Sequence, residues 1–241
     1  SASASAATAP ELMQAIDQIY NADFETAKVI VTSYIQAHPE DSDGHILHGM
    51  AREWYQYLTN KKNRLNPQIM EDFQEARRVA EAALQKTPDN IELKMKLANS
   101  LVYISKKQLD MGHKMQAGST LKQAKNLMLE VIAKDPNNPE VYFALGLFNY
   151  FSDNVPSGFK WLASLLGFKG DRKLGKEYIL RASSVPNLTQ TDALYMLYYI
   201  AAKTEHDYAQ ALVYMQQLNT RFPNNIVFKC RNAEMLYRNN R

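Results

Sequence analysis

His45 and His48 stand three residues apart, with Asp41 and Asp43 just ahead of them. Imidazoles at i and i+3 share one helix face, and nearby carboxylates make such a pair the start of a weak metal site. No third ligand follows at helical spacing, so the plainer reading is a solvated helix start with His48 at a packing position. Gly170 to Lys176 reads GDRKLGK, which satisfies the glycine and lysine part of a phosphate-binding loop. Glu177 then takes the place where Ser or Thr would ligate magnesium, and no strand-like segment precedes it. Neither G-x-S-x-G nor H-E-x-x-H occurs. Glu71, Asp72 and Glu75 with Arg77 and Arg78 read as a solvated helix face. The single cysteine, Cys230, excludes an intrachain disulfide and a cysteine-based zinc site, and leaves the redox compartment open. The sequence therefore predicts no enzyme, no cofactor and no metal.

The elements that would position any site read as helices throughout. ILHGMAREWYQYL, MEDFQEARRVAEAALQK, LKQAKNLMLEVIAK and YAQALVYMQQL place apolar residues at three-to-four spacing. No segment alternates as a strand. A net charge of +3 with no run of five basic residues excludes an extended phosphate-binding face, so nucleic acid is not expected as a partner. No apolar stretch of about 18 residues occurs, so no membrane span is expected.

Four helix ends share one spacing. Ala27 and Pro39, Ala76 and Pro88, Ala124 and Pro136, and Ala211 and Pro223 are each 12 apart. Gly49, Ala98, Gly146 and Ala233 each follow one of those prolines by 10. Small residues in mid-helix let two helices approach closely. Proline ends the second helix and biases the residue before it away from the helical region. The polar pairs Asp41-Ser42, Asp89-Asn90, Asn137-Asn138 and Asn224-Asn225 then offer cap oxygens to the next helix.

On these residues the chain resembles the tetratricopeptide repeat (TPR) family. In PEVYFALGLFNY, from Pro139 to Tyr150, Tyr142, Leu145 and Gly146 stand where the family pattern has its aromatic, Leu and Gly. Ala27, Ala76, Ala124 and Ala211 match its second-helix Ala, and Phe24, Phe73, Leu121 and Tyr208 its large apolar position. The resemblance implies an all-α fold, a right-handed superhelical solenoid of antiparallel helix pairs. Repeats fall at about 11–39, 42–88, 91–136, 139–187 and 190–223, with a C-terminal capping helix at 225–238 and a disordered Ala/Ser tail at 1–10. The family unit is about 34 residues. Here the stretches Gly49–Ala76, Ala98–Ala124 and Gly146–Gly175 run 27, 26 and 29 residues against 12 for Ala15–Ala27. The middle repeats are thus expected to carry insertions lining one edge. Gly175 stands where Ala belongs, Pro186 comes one place early, and Tyr199 stands where a small residue is expected.

First helices of such units line a concave groove. The register assigns Met50, Trp54, Met95, Asn99, Tyr103, Phe143, Leu147, Tyr150, Met196, Ile200 and Lys203 to it, a Met-rich, aromatic and nearly uncharged wall. Such a wall suits a protein or peptide partner, and the resemblance implies an interaction scaffold. The other reading is an accessory protein for a small apolar ligand or lipid, by analogy with tetratricopeptide components of transporters. The same residues also fit plain helix packing. In the insertion, Phe159, Trp161, Leu165, Leu166 and Phe168 form a short apolar helix. That helix could fold back as core, plug the groove, dock a partner or touch a membrane surface, and homo-oligomers stay open too. Ser1 to Pro10 reads as a frayed end, or as a spacer left after a cleaved export signal or lipidated cysteine. The latter would place the protein in a bacterial cell envelope, periplasmic or lipid-anchored; a cytoplasmic site is the alternative.

Overall fold

A computed structural model describes residues 8–61, 63–152 and 170–240. Among them the backbone is helical, without a strand. Eleven α-helices follow in order: α1 Pro10–Tyr20, α2 Phe24–Ala37, α3 Asp43–Leu58, α4 Asn66–Lys86, α5 Ile91–Asp110, α6 Lys114–Lys134, α7 Pro139–Ser152, α8 Arg172–Ser183, α9 Gln190–Tyr199, α10 Tyr208–Arg221 and α11 Ile226–Asn239. Each helix packs on the next in the chain, so neighbours form pairs.

The proline markers act as their chemistry requires. Helices α2, α4, α6 and α10 each stop two residues before their proline. The residue between, His38, Thr87, Asp135 or Phe222, leaves the helical region in nearly one conformation each time, φ −131 to −124 or −139 and ψ 64 to 84. The side chains of Asn90 and Asn225 then cap α5 and α11, and Asn138 accepts from the amides of Glu140 and Val141. Before α3, Asp41 rather than Ser42 accepts from the Asp43 amide.

The small residues lie where helices meet. A Cβ at Gly175 would fall 2.5 Å from the Tyr150 amide nitrogen, and one at Gly146 would fall 2.9 Å from the Gly175 carbonyl. Helices α7 and α8 are in backbone contact there, which only glycine permits. Ala27, Ala76, Ala98, Ala124 and Ala211 are fully buried. Ala233, on α11, is exposed.

One expectation is corrected. Most of the extra residues of the second and third units are not insertions at a corner, although the α3–α4 connection runs over 59–65. They lengthen the helices themselves: α4 has 21 residues, α5 has 20 and α6 has 21, with α5 and α6 joined only by 111–113. The added residues keep the apolar period, so continuing the helix ladder satisfies their backbone groups. In the fourth unit the corresponding residues lie outside those described. In the fifth, Tyr199 at the small-residue position is exposed, and a π-helical turn follows at Ile200–Glu205. The wider turn shifts the register, and buried Ala201 and Ala202 fall in the segment that packs on α10.

The first and last helices meet. Tyr20, at the end of α1 and 1% exposed, lies 5.3 Å from Trp54, 5.2 Å from Phe222 and 6.2 Å from Phe228, ring centre to ring centre. Arg221 pairs with Asp17 at 2.9 Å, and the Asn225 amide donates to the Tyr20 carbonyl at 2.8 Å. One apolar cluster accordingly holds residues of both α1 and α11, beside smaller clusters between α4, α5, α6 and α7.

Candidate binding pocket

Where α1 closes on the C-terminal helices, a pocket of about 670 Å³ opens between α3, α5, α9 and α11. Helix α3 supplies Glu53, Trp54, Gln56 and Tyr57, and α5 supplies Lys106, Lys107 and Asp110. Asp192 and Tyr195 come from α9. The rim holds Asn60 and Asn63, both in the left-handed region at φ 51 and 62 in the turn joining α3 to α4. Asparagine tolerates that conformation better than other non-glycine residues.

Charge is concentrated here. Lys106 and Lys107 approach Glu53 at 2.6 and 2.5 Å, and Lys107, 2% exposed, also reaches Asp110 at 3.1 Å. Burial works to raise the Glu53 carboxyl, but the two ammonium groups win and hold it below the usual carboxylate range. Asp192 is placed otherwise. Tyr20 donates to it at 2.7 Å and Tyr103 adds a second hydrogen bond. Burial raises the Asp192 carboxyl above its ordinary value in spite of those donors, and both phenols are pushed well up by burial and by the adjacent carboxylate.

A second cluster lies at the other end of α3 and α5. Lys96 bridges Asp41 at 2.6 Å and Asp43 at 2.8 Å, and Asn99 donates to Glu140 at 2.6 Å. A hollow of about 180 Å³ adjoins it. Here burial dominates: Asp43 is raised, and Glu140 is raised to about 7.

The residues assigned to the groove wall are distributed among three environments. Met50, Met95, Asn99, Tyr150 and Ile200 are buried between helices. Trp54, Tyr103, Phe143, Leu147 and Met196 are half-buried against the core. Lys203 is exposed and pairs with Glu234 at 3.2 Å. Trp54 alone of this set lines the larger pocket, and Met95 lines the smaller one. The charges absent from the expected wall stand close by in sequence: Glu53 beside Trp54, Lys106 three after Tyr103, Asp192 four before Met196. Phe159, Trp161, Leu165, Leu166 and Phe168 lie outside the described residues.

The histidine pattern disperses. His48 pairs with Asp72 at 3.2 Å, while Asp41 and Asp43 turn to Lys96. Among the described residues no group of three or more His, Cys, Asp or Glu is placed to hold a metal ion. GDRKLGK opens α8: Asp171 caps the helix, Gly175 packs on α7 and Lys176 pairs with Glu205 at 2.5 Å. Among the described residues, no helix is long and apolar enough to cross a membrane.

Glu53, Tyr57, Lys106, Lys107, Asp110, Asp192 and Tyr195 were not legible as a set, because three separate helices bring them together. The nearest signal was the abundance of Tyr, 14 in the chain, since tyrosine suits sites with one packed and one polar side. No protein-family model and no curated protein matches this chain. Sequence and structure together define an all-helical protein of paired, repeat-like helices with a mixed aromatic and charged pocket at their closure.

Proposed function

We propose that the protein is a non-catalytic binding scaffold of the tetratricopeptide type, a right-handed solenoid of antiparallel pairs, holding a short segment of a partner protein in the pocket between α3, α5, α9 and α11. The pocket carries this reading. It sets Trp54, Tyr57 and Tyr195 among charged groups, and aromatic anchors in pockets rimmed by polar residues dominate the energetics of protein recognition. The recurring pre-proline helix ends and the glycine contact of α7 with α8 support the repeat assignment.

The second reading, an accessory protein for a small ligand, is favoured by the pocket's volume, which falls in the small-molecule range of roughly 300–1,000 Å³. Five charged side chains in the lining suit a polar ligand better than a lipid, since desolvating them against an acyl chain is costly.

A photo-crosslinking residue at Tyr57, on the pocket rim, tests the choice against one at Val29 on α2. Peptide adducts at 57 but not 29, reduced by Trp54→Ala, are expected. A co-purifying small mass in native mass spectrometry, lost in Trp54→Ala, would support the second reading instead. Equal adducts at both positions with no such mass refute both.

A further inference from the structure

We propose that this pocket takes an alkylammonium group, set against the Asp192 carboxylate and the Trp54–Tyr57 ring corner, which rests on the binding role above and names the chemistry of what is held. The first support is a buried carboxylate without a direct ion pair; Lys106, bonded to Glu53, acts on it only from longer range. Three carboxylates and two ammonium groups line the pocket. Both lysines are drawn to Glu53, and Lys107 also to Asp110. Asp192 makes no ion pair within 4 Å among the described residues; its partners are the neutral hydroxyls of Tyr20 and Tyr103. A carboxylate withdrawn from water gains most from a cation that also donates hydrogen bonds. Burial raises its proton affinity, against the pull of the two phenols and of Lys106.

The second support is the shape of the aromatic wall. The Trp54 and Tyr57 rings lie 5.9 Å apart at 89°, making a corner of two π faces. Tyr57 is 62% exposed, so the corner is open to an incoming group. Ring faces attract a cation within about 6 Å, and indole does so best. An anion fits badly, because it would meet Asp110 and Asp192. A metal ion also fits badly, because the described carboxylates do not gather into a ligand group.

The test uses the whole chain and calorimetry with three probes: the peptide acetyl-Gly-Gly-Lys-Gly-Gly-amide, the same peptide acetylated on its lysine, and n-butylamine. The unmodified peptide or butylammonium should bind, and acetylation should abolish peptide binding. Asp192→Asn keeps the side-chain size and one acceptor oxygen for the phenols, and should weaken binding at least about ten-fold. Tyr57→Leu, at an exposed position where folding is not at risk, should weaken it several-fold. Tighter binding of the peptide than of butylammonium assigns the group to a partner's lysine; the reverse order assigns it to a small amine; both uphold the site. Equal binding of the acetylated peptide, or no effect of either substitution, overturns the proposal. If Tyr57 crosslinks then still trap uncharged segments, the scaffold role survives without the ammonium; if crosslinks fail as well, both are lost.

Discussion

The side-chain amide of Asn225 donates to the backbone carbonyl of Tyr20, joining residues 205 positions apart at 2.8 Å. The same Asn225 accepts from the amides of Val227 and Phe228 and so starts α11. It is fully buried. One side chain therefore serves as helix cap and as the clasp between the two ends of the stack.

Asn225→Ala removes both roles and leaves the Tyr20 carbonyl without its donor. Lost capping costs about 1 kcal/mol and an unsatisfied buried carbonyl about 1–2 more. Urea unfolding should show a loss of about 2–3 kcal/mol. Asn225→Asp retains the cap oxygen but sets a buried carboxylate oxygen against the Tyr20 carbonyl, and should lose at least as much.

Gly175→Ala and Gly44→Ala should differ sharply. At Gly175 the added Cβ meets Tyr150 and Gly146 backbone, which cannot move without parting α7 from α8. At Gly44 it meets the Ile35 and Tyr34 side chains, 2.7 Å and beyond, and those can rotate. Overpacking costs typically about 1–3 kcal/mol. We expect Gly175→Ala at or above the top of that range and Gly44→Ala near the bottom, as read by thermal denaturation.

Stability should fall between pH 5 and pH 8. Burial, then the negative charge of Asp43, raises Glu140 to about 7 against an ordinary 4.5, although the Asn99 amide pulls it down. A carboxyl that holds its proton more tightly when folded contributes its full stability below about 4.5 and loses it as pH rises through about 7. Asp43 shifts in the same direction, burial being the leading cause. Glu140→Gln should flatten the profile and raise the midpoint at pH 8, by roughly 1–3 kcal/mol. An unchanged profile in that variant would remove Glu140 as the cause.

Glu53→Gln should destabilise more than Lys106→Gln. Glu53 holds two ammonium groups, one of them on buried Lys107, whereas Lys106 is mostly exposed. Removing one partner of a buried pair strands the other charge, at about 2–4 kcal/mol, while an exposed pair is worth under about 1. Adding Lys107→Met to Glu53→Gln should recover part of the loss, measurable as a double-mutant cycle in urea.

Local chemistry made much of the fold readable in advance. Proline cannot continue a helix, so Pro39, Pro88, Pro136 and Pro223 marked four helix ends. Gly146 and Gly175, spaced as close-contact sites, do face each other across α7 and α8. The lengthened helices were harder to see, because residues such as those of α4 satisfy a helix whether they extend it or begin a new one. The pocket was least visible. Asp192 reads in isolation as an acidic residue in the first turn of a helix, where the macrodipole favours it. Nothing near it in sequence points to Tyr20 or Tyr103, because those contacts exist only once α1 has closed on α9 and α11.

That closure also bears on how the molecule comes apart. A row of repeats with free ends frays from them, each terminal unit held by a single neighbour. Here the outermost helices share a buried aromatic cluster, so peeling either one exposes Tyr20, Phe222 and Phe228 together. Amide protons in α1 and α11 then exchange through the same large opening as those of the middle helices.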